Sequence, residues 1–178
     1  MTGTFPIEKF KNLPTPFYFY DTHLLRTTLE AAANAAKACG GAHIHYAVKA
    51  NANPALLQII SQAGYGADCV SGGEIERAVS NGFPAAKIVF AGVGKTDAEI
   101  RTALAYDIAC FNVESLSELA VIDELAGKMG KTACVAFRIN PNVDAHTLDK
   151  ITTGLNENKF GIAMQDMKAA IDEAARLK

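Results

Sequence analysis

The sequence predicts an α/β protein made of repeated βα units, as either a β/α barrel or a doubly wound parallel sheet. Short apolar runs alternate with amphipathic stretches, at roughly 20 to 25 residues per unit. Three of those runs lead directly into a capping signal: Ser71-x-x-Glu74, Thr96-x-x-Glu99 and Ser115-x-x-Glu118. The chain has 178 residues, of which 49% are hydrophobic and 20% charged, enough for one domain with a sizeable core.

Each element has a local reason. Phe17-Tyr18-Phe19-Tyr20 is predicted as a strand. Asp21 can cap a helix running to about Cys39, closed by Gly40 and Gly41. Ile44 to Val48 is the next strand. Asn53 suits an N-cap with Pro54 at the first helical position, and Gly64 ends that helix. Ala67 to Val70 is a strand, followed by a helix ending near Gly82. Lys87 to Ala91 and Ile108 to Val113 are strands, each with a capped helix after it, the second ending near Gly130. Ala133 to Ile139 is another strand. The long stretch Asn140 to Ile162 is rich in Asn, Asp, Thr and Gly, and a loop of that length in a compact domain is more often functional than idle. Met164 to Lys178 is predicted as a final helix.

Composition excludes several classes of function. Net charge is −2 and no basic stripe occurs, so neither nucleic acid nor an anionic membrane is an expected partner. No run of 18 apolar residues exists, and Met1 to Pro6 lacks a charged segment leading into an apolar core, so a cytoplasmic location is expected. Cys39, Cys69, Cys110 and Cys134 show no ligand spacing and are expected to be reduced. His23, His43, His45 and His146 form no metal-binding pattern, so no metal is expected. Gly92-Val93-Gly94-Lys95-Thr96 invites a phosphate-loop reading, but Val89 stands where a Walker loop needs glycine and Asp97 where the dinucleotide fingerprint does. A tight turn into a capped helix accounts for it better.

Three polar side chains sit where apolar strands end. Lys49 closes the run His45-Tyr46-Ala47-Val48, and burial at the mouth of a parallel sheet would make its amine a usable nucleophile toward a carbonyl. Asp68 interrupts Ala67-x-Cys69-Val70, and a carboxylate there must face solvent or a polar cavity. Arg138 follows Cys134-Val135-Ala136-Phe137 and wants an acidic or phenolate partner. In a parallel β/α architecture the three ends share one mouth. Glu74 is explained by its capping box, and His146 has a claim through its loop alone.

Tyr46-Ala47-Val48-Lys49-Ala50-Asn51, with Leu56, Leu57, Ile60 and Gly64, resembles the pyridoxal-phosphate attachment signature of the ornithine, arginine and diaminopimelate decarboxylase group. Ala67 to Glu74 resembles that group's next strand and helix start. Arg138-Ile139-Asn140-Pro141-Asn142-Val143, with His146-Thr147, Ile151 to Gly154 and Lys159-Phe160-Gly161, is similar to its diaminopimelate branch, although Leu148 replaces an expected second histidine.

The resemblance implies a fold-type III enzyme with a partial alanine-racemase-like (β/α)8 TIM barrel, of which about five strands are present. Residues 1–21 would be an N-terminal segment and strand that pairs with a later β-domain, and 22–178 the first part of the pyridoxal-phosphate-binding barrel. The cofactor implied is pyridoxal 5'-phosphate, with Lys49 as its covalent anchor, Asp68 lining its pocket and Arg138 neutralising charge near the ring phenolate. The implied reaction of the full-length protein is decarboxylation of meso-2,6-diaminopimelate to L-lysine and CO2, in a homodimer, with an amino acid as substrate. Ornithine or arginine decarboxylation, amino-acid racemisation and a non-catalytic pyridoxal-phosphate homeostasis protein are the alternatives. A barrel of this kind has about 250 residues. The 178 residues are therefore expected to be a piece with little activity alone.

Overall fold

Five short parallel strands in sequential order carry the architecture. The structure, a computed structural model, describes residues 5–141 and 160–177. A short helix α1 (Ile7–Phe10) precedes α2 (Thr22–Ala38), then β1 (His45–Ala47), α3 (Pro54–Gln62), β2 (Gly66–Cys69), α4 (Gly72–Ser80), β3 (Ile88–Phe90), α5 (Asp97–Tyr106), β4 (Cys110–Val113), α6 (Leu116–Lys128) and β5 (Val135–Phe137). The sheet order is β1-β2-β3-β4-β5, every neighbouring pair parallel. A doubly wound sheet reverses its strand order at a switch point; this one runs on without reversal, as a barrel wall does.

The core lies on one face of that wall. Ala67, Cys69, Ile88, Phe90, Phe111 and Val113 alternate along their strands and are buried against Leu57, Ile75, Ile100 and Ile122 of the helices. Phe90 and Phe111 meet at 6.1 Å between ring centroids. Truncating such a ring to alanine costs about 3–5 kcal/mol. The other face, whose residues alternate with these, is left more open.

Helix starts follow the capping signals, with one refinement. Asp21, Asn53, Ser71, Thr96 and Ser115 all cap with their side chains. Only Thr96 and Glu99 complete the reciprocal box. Glu74 instead accepts from Val70 N (2.8 Å) and Glu118 from Glu114 N (2.8 Å), the residue before each cap. Those two glutamates therefore lock the strand exit rather than the cap itself.

Two predicted elements differ. Phe17–Tyr20 forms no ladder among the described residues, its expected partner belonging to a later β-domain, and Phe17 and Phe19 pack on Phe10 at 5.3 and 5.0 Å. A strand needs a neighbour for its backbone groups, and within the described residues the aromatic rings pack with each other. The predicted strand Ala133 to Ile139 breaks at Arg138. Beyond it β6 (Ile139–Asn140) pairs with β7 (Ile162–Ala163) across the two ends of the stretch read as loop, and α7 (Met167–Ala174) follows. Arg138 is the hinge of this exchange: its N–H donates to Val113 O (2.9 Å), while its carbonyl accepts from Ile162 N (2.8 Å). The approach is close enough to require Gly161, at φ +97°, since a Cβ there would lie 2.6 Å from Arg138 O.

Candidate active site at the carboxyl ends of the strands

The face turned away from the helices holds a cleft of about 510 Å³, with His45, Asp68, Asn112, Glu114, Phe137 and Arg138 in its wall. Register explains the convergence. Ala47, Asp68, Val89 and Cys110 are successive partners across β1 to β4, so they form one row. Asn112 lies two residues above Cys110, and Glu114 and Arg138 lie beyond the ends of β4 and β5.

Asp68 is half-buried in β2, and its Oδ1 is buried without a hydrogen-bond partner among the described residues. A buried oxygen left in that state costs about 1–3 kcal/mol, so it asks for a donor that the described residues do not supply. Burial, with the negative charges of Glu74 and Asp68 behind it, pushes the neighbouring Cys69 thiol up to about 12. That cysteine is an inert core residue.

Arg138 finds the acidic partner expected of it in Glu114, a residue that the sequence alone does not single out. Nη1 lies 2.9 Å from Oε1 and 3.3 Å from Oε2; the Glu114 side chain is 5% exposed and that of Arg138 51%. The guanidinium also stands 5.8 Å from the Phe160 ring centroid. Among the described residues only Nη1 is engaged in hydrogen bonds, which leaves the rest of a five-donor group available to a ligand. Glu114 follows β4 immediately, as Arg138 follows β5. A charge at a strand exit was the signal that could have found it.

Lys95 is a structural cation. Its side chain is 1% exposed, and Nζ donates to Gly92 O (2.8 Å), Asn112 O (2.8 Å) and Glu118 Oε1 (2.6 Å). No hydrogen remains for a phosphate. The loop after β3 is thereby pinned to β4 and α6 beside the cleft. Glu99 does the same for the β2 loop, accepting from Gly72 N (2.9 Å) and Thr96 N (3.0 Å). Those backbone donors, Thr96 first, hold its carboxyl below the usual range.

Lys49 departs from expectation in two ways. It is exposed rather than buried, and it is not in the wall of the cleft that Asp68 and Arg138 share. β1 stops at Ala47, Val48 turns inward at 0% exposure, and Lys49 sits in a 3-10 turn, Val48–Ala50, at the edge of the sheet. Its amine has no protein partner among the described residues. It does leave the same end of the sheet as Asp68, whose register partner is Ala47. His146 lies outside the described residues.

These residues fit an aldehyde-bearing anionic ring. An unpaired amine can condense with the aldehyde, an orphaned carboxylate oxygen can take an N–H or O–H, and a guanidinium with free donors can meet an oxyanion. Among the described residues no group of three His, Cys, Asp or Glu could hold a metal, and no helix is long and apolar enough to cross a membrane.

Comparison with known proteins converges on one family. Residues 25–178 match the family described as pyridoxal-dependent decarboxylase, pyridoxal binding domain. Diaminopimelate decarboxylase of Bacteroides thetaiotaomicron is 62% identical over 178 residues, all of this chain and 46% of that relative. That of Aquifex aeolicus is 44% identical over 92% of this chain and 38% of its own length. The crystal structure of diaminopimelate decarboxylase from Helicobacter pylori complexed with L-lysine superposes with a TM-score of 0.84, at 41% identity, over 96% of this chain and 43% of that one. The chain thus spans less than half the length of these relatives.

Proposed function

The chain belongs to the pyridoxal-dependent decarboxylases, within their pyridoxal-binding domain, and from that premise we propose that the whole protein converts meso-2,6-diaminopimelate to L-lysine and CO2. The observation that carries this reading is the 62% identity to a diaminopimelate decarboxylase along every residue of the chain. The Helicobacter pylori relative complexed with L-lysine, the expected product, supports it.

Lys49 is the proposed anchor for the cofactor aldehyde. Its amine is unpaired among the described residues, so no ion pair has to break before it reacts. Asp68 offers its orphaned Oδ1 to a donor on the bound group. Arg138, held from behind by Glu114, presents its remaining N–H groups to an oxyanion. Pyridoxal phosphate, when bound, supplies an electron sink for the pair released as the bond to the carboxylate breaks. The chain's own part is to hold, orient and neutralise.

Residues 22–178 are assigned to the first part of the barrel, with 1–21 as a leading segment. The whole protein is proposed to be a cytoplasmic homodimer. Four free cysteines favour a reducing compartment.

Lysine and CO2 release by the full-length protein tests the reaction. Turnover of meso-diaminopimelate with pyridoxal phosphate, and none of L-ornithine or L-arginine, is expected. Turnover of ornithine or arginine alone, or binding of the cofactor with no turnover of any, contradicts it.

A further inference from the structure

We propose that Asn51, gripped by Tyr20 and Tyr46, is the positioning residue for the turn that carries Lys49; this rests on the role of Lys49 given above.

Asn51 follows the Val48–Ala50 turn directly and uses three of its polar groups. Its carbonyl accepts from Tyr46 Oη (3.1 Å), its Nδ2 donates to Tyr20 Oη (2.9 Å), and its Oδ1 accepts from Asn53 N (3.0 Å). Each bond reaches a different element. Tyr46 belongs to β1, so its phenol ties the far end of the turn back to the strand that the turn leaves. Asn53 caps α3 through Ala55 N (2.9 Å). Tyr20 stands 31 residues before Asn51, next to Asp21, which caps α2 through Leu24 N (3.0 Å).

A single 3-10 turn is weakly held by its own bonds. Val48 anchors its start by burial. Without Asn51 its end would be free, and with it the origin of the Lys49 side chain. The amine itself has no partner among the described residues, so its reach is set by where the backbone starts it. An error of about 1 Å in such a placement is enough to slow a reaction substantially. Burial raises the Tyr46 phenol above its ordinary range, and it remains a donor throughout the working pH range. The leading segment, which packs on itself through aromatic rings, thereby gains a purpose, since it delivers the Tyr20 oxygen to Asn51.

The test uses the full-length protein, first free of cofactor and then given pyridoxal phosphate, with attachment trapped by borohydride and located by mass spectrometry. Tyr20→Phe removes one acceptor and little volume. Amide exchange in residues 48–53 is expected to rise about fivefold, the worth of one ordinary hydrogen bond. The limiting rate of attachment at Lys49 is expected to fall by a similar factor, with the half-saturating pyridoxal phosphate concentration unchanged. Tyr18→Phe is the matched control: Tyr18 is 88% exposed and stacks on Tyr20 at 6.4 Å without a hydrogen bond, so neither quantity should move. Wild-type exchange and attachment in Tyr20→Phe, or exchange raised across the whole molecule, overturns the positioning role while leaving Lys49 as anchor. Attachment that survives Lys49→Ala overturns the anchor and the positioning role together.

Discussion

Asp68 and Lys49 leave the same end of two adjoining strands: Ala47 is the register partner of Asp68, and Lys49 follows Ala47 by two residues. Among the described residues, one ends with a buried, unpartnered oxygen and the other with an unpartnered amine. They do not pair with each other, and both are left available to a third group.

The orphaned oxygen of Asp68 predicts opposite signs for stability and binding. Asp68→Ala removes a buried acceptor that the described residues leave unsatisfied. Without cofactor, the full-length variant should be as stable as the parent or up to ~1 kcal/mol more stable in urea unfolding. Its dissociation constant for pyridoxal phosphate should rise at least tenfold in a fluorescence titration. A variant clearly destabilised without cofactor, with unchanged affinity, contradicts this.

Arg138 and Glu114 are unequal partners, because the carboxylate is buried and the guanidinium half exposed. Arg138→Ala strands a buried charge and should cost about 2–4 kcal/mol. Glu114→Ala leaves a cation that water can reach and should cost less, about 1–2 kcal/mol. The double variant should recover part of the first loss. Equal single costs that simply add would show that the pair is not coupled.

Glu99 sets part of the acid limit. Its carboxyl is held below the ordinary value of 4.5 by the backbone donors of Thr96 and Gly72. The unfolded chain therefore takes up that proton first as pH falls. The contribution is fully present above about 4.5 and is lost on acidification through the lower folded value. Glu99→Gln should be less stable than the parent at about pH 7, with the gap closing below about pH 4.5 in pH-dependent unfolding. A gap that widens on acidification contradicts the sign.

Much of the wall was legible because its signals are local. A serine or threonine three residues before glutamate marks a helix start whatever surrounds it, and Asp68 and Arg138 stood out as charges inside apolar runs. What escaped depends on neighbours in space. Glu114 precedes a capping serine and reads as loop until Arg138 comes beside it. Lys95 looks like a phosphate-loop lysine until three acceptors close around it. β7 is two residues long, too short to show a period. Lys49 stands outside the strand because β1 stops at Ala47, two residues before it, a boundary that no local pattern records.

The most direct measurement is the site of cofactor attachment. Full-length protein loaded with pyridoxal phosphate, reduced with borohydride and digested, should carry the added mass on the peptide containing Lys49. Lys49→Ala should carry none. An adduct on another lysine, or one that persists in Lys49→Ala, would contradict Lys49 as the anchor.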